Sequence, residues 1–246
     1  MTSPRLLIAS LLGLVLLAAC APMRPTITGP EPVFRSPLTA DADAALALGD
    51  LSSALTLLRM AANDAPANAA MGLRLEAAFF AYQLNDSAAA QRVISAAERS
   101  PSPRNRASAE LLRIVMATEA TPARTIEALQ ALEGLLPDRL KPYRHQALGN
   151  ARSANGEALA AVNQLLKAER LHAGTSARLA NEAALWRALM RMPFAQVEAA
   201  LENDPSARMQ QWLTLAHGVQ QRLLDPAAPR TFLSTVSTTT MVHPAL

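Results

Sequence analysis

The sequence predicts an all-α protein built from repeated pairs of helices. Strong helix formers dominate its 246 residues, and glycine occurs only 9 times. Runs of β-branched residues are missing until residues 234–240, near the C-terminus. The chain also resembles itself at a period of about 36 residues, which indicates stacked structural repeats.

The repeat consists of four segments, which align at offsets of 36, 35 and 36 residues. They begin with turns at Gly49, Asn85, Ala120 and Gly156. After each turn, four aligned positions, here called columns, recur in every segment. The first column is mostly small, the second aliphatic and the third mostly small, and the fourth ends the segment. The columns are Ala54, Ala90, Thr125 and Ala161; Leu58, Ile94, Leu129 and Leu165; Ala61, Ala97, Leu132 and Ala168; and Pro66, Ser102, Pro137 and Ala173. Because the first three columns are separated by four and then three residues, they lie on one helical face.

This pattern resembles the second half of a tetratricopeptide repeat (TPR), in which a small, a large apolar and a small residue precede a closing proline. The first helices of the pairs are expected at residues 42–48, 71–84, 106–118 and 141–154, and later helices at residues 179–192, 194–202 and 205–224. Asp204 is expected to cap the last helix, with Pro205 at its first position. The sequence therefore predicts a TPR-like helical repeat solenoid over residues 41–225.

The first 19 residues have the features of an export signal. Arg5 supplies a positive charge, and an almost purely apolar run follows at residues 6–17. This run is too short to cross a bilayer, which takes about 20 apolar residues. Residues 17–20, Leu-Ala-Ala-Cys, resemble the lipobox of bacterial lipoproteins, in which the cysteine thiol receives a diacylglyceryl group. Cys20 is the single cysteine of the chain, and the alternative is a general secretory signal with a cysteine after its cleavage site.

These features predict a lipid-anchored protein. Residues 1–19 are interpreted as a lipoprotein signal peptide, Cys20 as the lipidation site, residues 20–40 as a proline-rich tether and residues 226–246 as a Ser/Thr-rich linker or tail. Two or three acyl chains anchor a protein essentially permanently, since each buried CH₂ adds about 0.8 kcal/mol. Ala21 stands where the enterobacterial inner-membrane retention signal has an aspartate. This favours the outer membrane, with the protein facing the periplasm.

The charge pattern argues against nucleic acid as a partner. Without the signal peptide the chain carries 22 basic and 20 acidic residues, a net charge of +2, and the two signs are interspersed. The sequence has no basic block that could follow phosphates, and only 4% of its residues are aromatic. Neither backbone binding nor base stacking is therefore expected.

No catalytic, cofactor-binding or metal-binding constellation is recognisable in the sequence. The histidines are isolated at positions 145, 172, 217 and 243, and there is no Gly-rich phosphate loop or Gly-x-Ser-x-Gly elbow. No small-molecule substrate is evident. Trp186 and Trp212 could anchor a partner, as aromatic residues do at binding hot spots, but core packing is the favoured interpretation. The same interpretation holds for Met190, Met192 and Met209.

Three segments resemble the LpoA/LppC family of penicillin-binding protein activators. They are Asn-Glu-Ala-Ala-Leu-Trp at residues 181–186, Gln-Trp-Leu-Thr-Leu-Ala at residues 211–216 and His-Pro-Ala at residues 243–245. In that family, segments of the forms Asn-Glu-x-x-Leu-Trp, Trp-Leu-x-Leu-Ala and His-Pro-Ala occur in this order. A lipobox, a proline-rich spacer and helical repeats precede them there, so the resemblance covers nearly the whole chain.

The resemblance implies a non-enzymatic outer-membrane lipoprotein that activates a class A penicillin-binding protein and so regulates peptidoglycan synthesis. It also implies a TPR-like N-terminal domain followed by a domain similar to periplasmic ligand-binding proteins. The chain stops at the family's domain joint, so that second domain is expected on another polypeptide or lost. Two alternatives stay open, a TPR lipoprotein for outer-membrane protein or pilus secretin assembly and a peptidoglycan-cleaving or amidase enzyme.

Overall fold

Eleven α-helices form the part of the chain that the structure describes. The structure is a computed structural model, and it describes residues 34–117 and 120–225. The helices are α1 (Pro37–Leu48), α2 (Leu51–Asp64), α3 (Ala67–Gln83), α4 (Ser87–Ala97), α5 (Pro103–Met116), α6 (Pro122–Ala131), α7 (Lys141–Ala154), α8 (Ala158–Leu171), α9 (Thr175–Arg191), α10 (Phe194–Glu202) and α11 (Ala207–Leu224), with a 3₁₀ helix (Asp138–Leu140) before α7. These residues contain no strand, which confirms the all-α prediction. None of the described helices is long and apolar enough to cross a bilayer.

The four aligned segments form α2, α4, α6 and α8, and their first three columns face the interior. Eleven of these twelve column residues are buried. The exception is Thr125, which is partly buried and donates its hydroxyl hydrogen to the carbonyl of Thr121. The periodicity in the sequence therefore marks the buried faces of these helices correctly.

The turns before α2, α4 and α8 share one geometry. Gly49, Asn85 and Gly156 have left-handed backbone conformations, with φ of 80°, 68° and 81°. The following residue donates its N–H to a carbonyl five residues back, from Asp50 to Ala45, from Asp86 to Ala81 and from Glu157 to Arg152. Glycine and asparagine adopt this conformation at low cost, which explains why they recur where one helix ends and the next begins.

Most buried side chains belong to two clusters. One is formed by α1 to α7 around Phe79 and Phe80, and the other by α8 to α11 around Leu165 and Trp212. From α1 to α9 each helix packs against the next, and α11 packs against α9 and α10. Gly149 brings α7 close to α8, because a Cβ atom there would lie only 2.6 Å from Leu165 Cγ.

The predicted tether ends earlier than expected, because α1 begins at Pro37 and residues 37–40 are helical. The Ser36 hydroxyl accepts the N–H of Thr39, and Thr39 Oγ1 accepts the N–H of Ser36 in return. Proline is favourable at the first position of a helix, where its missing N–H costs nothing. The helical body therefore starts at residue 37 rather than 41.

The last helix begins later than predicted. Asp204 does not cap it, since its backbone is left-handed with φ of 47°. Ser206 is the capping residue instead, and its hydroxyl accepts the N–H of Met209. The hydroxyl-bearing Ser206, two residues further on, supplies the cap, so Pro205 precedes the helix.

Candidate functional site

A cavity of about 450 Å³ lies where the first helices of the described chain meet the later ones. Its wall is formed by the second half of α1, the 3₁₀ helix, the start of α7, the α8–α9 connection and the first turns of α9, with Leu51 and Gln83 added from α2 and α3. The lining is mainly apolar. Both this volume and this lining are typical of sites that bind small molecules.

The side of the cavity is formed by the α8–α9 connection, which approaches α1 very closely. A Cβ atom on Gly174 would lie 2.3 Å from the carbonyl oxygen of Leu46, so glycine is required at this position. A Cβ atom on Gly49 would lie 3.1 Å from Ser176 Oγ. Glycine on both sides of the contact therefore lets α1 close against the start of α9.

Arg139 forms the polar end of the cavity. Its Nε donates to Asp43 Oδ1 at 2.5 Å, and its Nη1 donates to Glu76 Oε2 at 2.8 Å. Its Nη2 donates both to Asp43 Oδ2 and to the carbonyl of Thr39. All three guanidinium nitrogens are thus bound to α1 and α3, and Arg139 cross-links these helices rather than presenting a free cation.

The ionisation of this cluster follows from its burial. Burial raises the pKa of Glu76, while the positive charge of Arg139 opposes that rise. Burial lowers the pKa of Arg139, but its hydrogen bond to Asp43 and the charge of Glu76 raise that pKa above its usual value overall. The guanidinium therefore stays charged and holds the Glu76 side chain in place.

His172 lies in the cavity wall with an unsatisfied ring nitrogen. Its residue is 3% exposed, and its ring meets the Tyr143 ring edge-on with 5.0 Å between centroids. Burial, followed by the charge of Arg178, lowers the pKa of His172 to about 4, so its imidazole is neutral at pH 7. Its Nε2 has no hydrogen-bond partner among the described residues. This nitrogen has almost no accessible surface, so it is enclosed by the protein rather than open to the cavity.

The predicted lipidation site, Cys20, lies outside the described residues, as do the signal peptide, His243 and the Ser/Thr-rich tail. Two other histidines make ordinary contacts. His145 Nδ1 is 2.8 Å from Gln164 Oε1, and the His217 ring stacks on Phe194 at 4.8 Å. Among residues 34–117 and 120–225 no three His, Cys, Asp or Glu side chains are grouped as a metal site would require.

Two of the family-like segments contribute buried residues to the core. Asn181 is fully buried, and its Nδ2 donates to the carbonyl of Leu165 at 2.8 Å, which joins α9 to α8. Trp212 is also fully buried, with the Arg208 guanidinium carbon 5.5 Å from its ring centroid. Met192 and Met209 are buried too, so core packing is confirmed for these residues, while Trp186 and Met190 are partly buried.

Sequence reasoning missed the cavity, because its wall brings together residues from position 43 to position 180. The only local signals were the glycines at positions 49 and 174, which first suggest turns. The chain has no significant match to a protein-family model, a curated protein or a solved structure. Its function must therefore be argued from its own residues.

Proposed function

We propose that this chain is a non-enzymatic, lipid-anchored scaffold that activates peptidoglycan synthesis by a class A penicillin-binding protein at the outer membrane. The observation that carries the proposal is the ordered set of family-like segments after a lipobox, a proline-rich stretch and helical repeats. Two of these segments lie on α9 and α11, which pack against each other. Their joint role in one core supports reading them as one arrangement of helices rather than two chance matches.

The same proposal includes a TPR-like solenoid formed by the helix pairs. The recurring left-handed turns at residues 49, 85 and 156 and the recurring buried columns support it. In such an array each pair contacts mainly its neighbours, and partners bind to surfaces assembled from several helices. Asn181 and Trp212 are buried, so the partner surface belongs to the exposed helix faces instead.

The proposal is tested by affinity capture from a solubilised bacterial envelope, with the full acylated chain as bait. We expect mass spectrometry to recover a class A penicillin-binding protein, and we expect the purified pair to form peptide cross-links faster than the enzyme alone. The Cys20→Ser chain is the matched control, because it keeps the helical body and lacks only the anchor. It should still stimulate the purified enzyme in detergent solution.

Three outcomes would overturn the proposal or part of it. Recovery of a barrel-assembly or secretin component without the synthase would favour an assembly lipoprotein instead. Capture of neither class, together with an unchanged rate of cross-linking even when the ligand-binding-like domain is supplied as a second polypeptide, would exclude the activator role. Clearing of purified sacculi in a zymogram would show an enzyme, whereas we expect the gel to stay blank.

A further inference from the structure

Three exposed leucines lie around the contact between α1 and the start of α9. Leu48 ends α1 and is 85% exposed, Leu171 ends α8 and is 47% exposed, and Leu179 in the first turns of α9 is 51% exposed. The fold brings them together because Gly49, which follows Leu48, lies against Ser176, one helical turn before Leu179. Single exposed apolar side chains are ordinary, but several at one place mark an interaction surface.

Basic side chains lie beside these leucines. Lys167 and Arg170 lie in the last turns of α8, and Arg178 lies in the first turn of α9. All three are exposed, and none forms an ion pair within residues 34–117 and 120–225, although Arg178 donates to two backbone carbonyls after α8. Asp50 lies nearby at the start of α2, so positive charge is in surplus. The three leucines and three basic residues are named the junction patch.

The chemistry of the junction patch matches a lipid surface. We propose that it binds the surface of a bilayer that contains anionic phospholipids. In this contact the leucine side chains enter the interfacial region, and the lysine and arginine side chains bind lipid phosphates. An acidic protein partner would also satisfy the charges, but the proposed anchor favours the membrane because it holds the chain beside one.

The predicted tether is short enough to keep the junction patch near the membrane. The residues between Cys20 and Phe34 extend over at most about 50 Å. Phe34 packs against the first core cluster, and α1 then runs about 18 Å from Pro37 to Leu48. An anchored chain therefore has the patch within reach of the bilayer. This location rests on the proposed function through its anchor, whereas the exposed leucines and unpaired cations do not.

The experiment uses the chain from residue 20 to residue 246 with Cys20→Ser, so that no acyl group contributes to binding. The probes are sucrose-loaded vesicles, one set containing equal parts of phosphatidylglycerol and phosphatidylethanolamine and the other containing only phosphatidylcholine. We expect the chain to sediment with the anionic vesicles and to bind phosphatidylcholine at least about tenfold more weakly, since each basic residue adds to the attraction. Binding should also weaken as salt screens these charges.

One pair of variants tests the leucines. Leu48→Ser combined with Leu179→Ser is expected to weaken binding to the anionic vesicles at least about tenfold, because less apolar area enters the interfacial region. Neither leucine belongs to a core cluster, so both changes leave the packing intact. Leu223→Ser is the matched control, since Leu223 is 71% exposed at the end of α11, and it should leave affinity unchanged.

A second pair tests the charges. Lys167→Gln combined with Arg170→Gln is expected to weaken binding to the anionic vesicles at least about tenfold. Arg92→Gln combined with Arg99→Gln removes the same charge from exposed positions at α4, outside the patch, and should leave affinity nearly unchanged. Because the two double variants have equal net charge, a difference between them cannot come from the overall charge of the chain.

The proposal would be overturned by absence of binding to the anionic vesicles, by equal binding to phosphatidylcholine, or by patch variants that bind as their controls do. Binding of a helical peptide with glutamates on its polar face, lost in the patch variants and without vesicle binding, would identify a peptide site instead. Circular dichroism establishes that each variant is folded. Since the assayed chain lacks the acyl group, failure here leaves the anchor and the activator role intact, and their failure leaves vesicle binding unchanged.

Discussion

Arg139 connects parts of the chain that are far apart in sequence, since it donates to Thr39 and Asp43 in α1 and to Glu76 in α3. The side chain of Arg139 is 16% exposed and that of Glu76 is 8% exposed. Lys141 forms a pair with Asp138 at a similar distance, but these side chains are 44% and 87% exposed. Burial makes the loss of one partner costly, whereas exposed pairs contribute little to stability.

We therefore expect Arg139→Met to lower the free energy of unfolding by about 3–5 kcal/mol at pH 7, because Glu76 stays buried without its partner. The matched variant Lys141→Met should lose less than about 1 kcal/mol. Urea denaturation followed by circular dichroism measures both. Equal losses in the two variants would contradict the assigned role of burial.

The loss of unfolding free energy in Arg139→Met should also depend on pH. Burial raises the pKa of Glu76, and removal of Arg139 removes the largest opposing effect. A carboxyl group whose pKa is higher in the folded state favours folding below that pKa and disfavours it as pH rises through it. The loss of unfolding free energy in Arg139→Met is thus expected to become smaller as pH falls toward 4. A loss that does not depend on pH would exclude a charged Glu76 as its cause.

Among the secondary-structure elements, the turns that recur between helices are the main feature. In two of them an aspartate both follows the left-handed residue and caps the next helix, with Asp50 accepting from Ser53 and Asp86 from Ala89. Thr121 occupies the same column before α6, but its side chain makes no capping hydrogen bond. The repeat therefore offers helix starts with and without a side-chain cap at the same aligned position.

Asp86→Ala is expected to lower the free energy of unfolding by about 1 kcal/mol, because one N–H at the start of α4 loses its acceptor. Thr121→Ala should change it by no more than about 0.5 kcal/mol, as surface substitutions away from such features do. Both values can be read from urea denaturation midpoints. A loss at Thr121 as large as that at Asp86 would show that the aspartate cap is not the source of the effect.

Helix positions were predictable to different degrees. The bounds of α7 and α10 were predicted to the residue, since their starts and ends follow from nearby prolines and turns. The starts of five helices, α1, α3, α5, α9 and α11, were missed by two to five residues. A serine hydroxyl caps α1, α5 and α11, so their starts depend on which one of several neighbouring side chains caps the helix. Propensity identifies a helix, but a single hydroxyl selects its first residue.

The whole molecule is proposed to combine the described helices with a lipid anchor. Gly174 lies close to Leu46, so the α8–α9 connection lies against α1, and both residues line the cavity. The anchor remains a prediction from residues 1–20. The anchor would determine the location of the protein and not the packing of its core.

We expect the exported protein to sediment with the outer membrane and to resist extraction by high salt, since two or three acyl chains bind a bilayer tightly. Mass spectrometry of its N-terminal peptide should show an acylated Cys20. Ala21→Asp should keep the acyl chains and move the protein to the inner membrane in an enterobacterial host, whereas Cys20→Ser should lose membrane attachment. An unmodified Cys20 in the exported protein would exclude the anchor.

The sequence by itself determined the all-α class, the buried faces of the repeated helices and three of their turns. These features depend on residues within one or two helical turns of each other, so a periodic pattern records them directly. Only the tertiary structure decided the cavity, the Arg139 cluster and the buried His172. Arg139 meets Thr39 across 100 residues, and no local pattern specifies which charges pair, or which ring nitrogen is left unpaired, over such a separation.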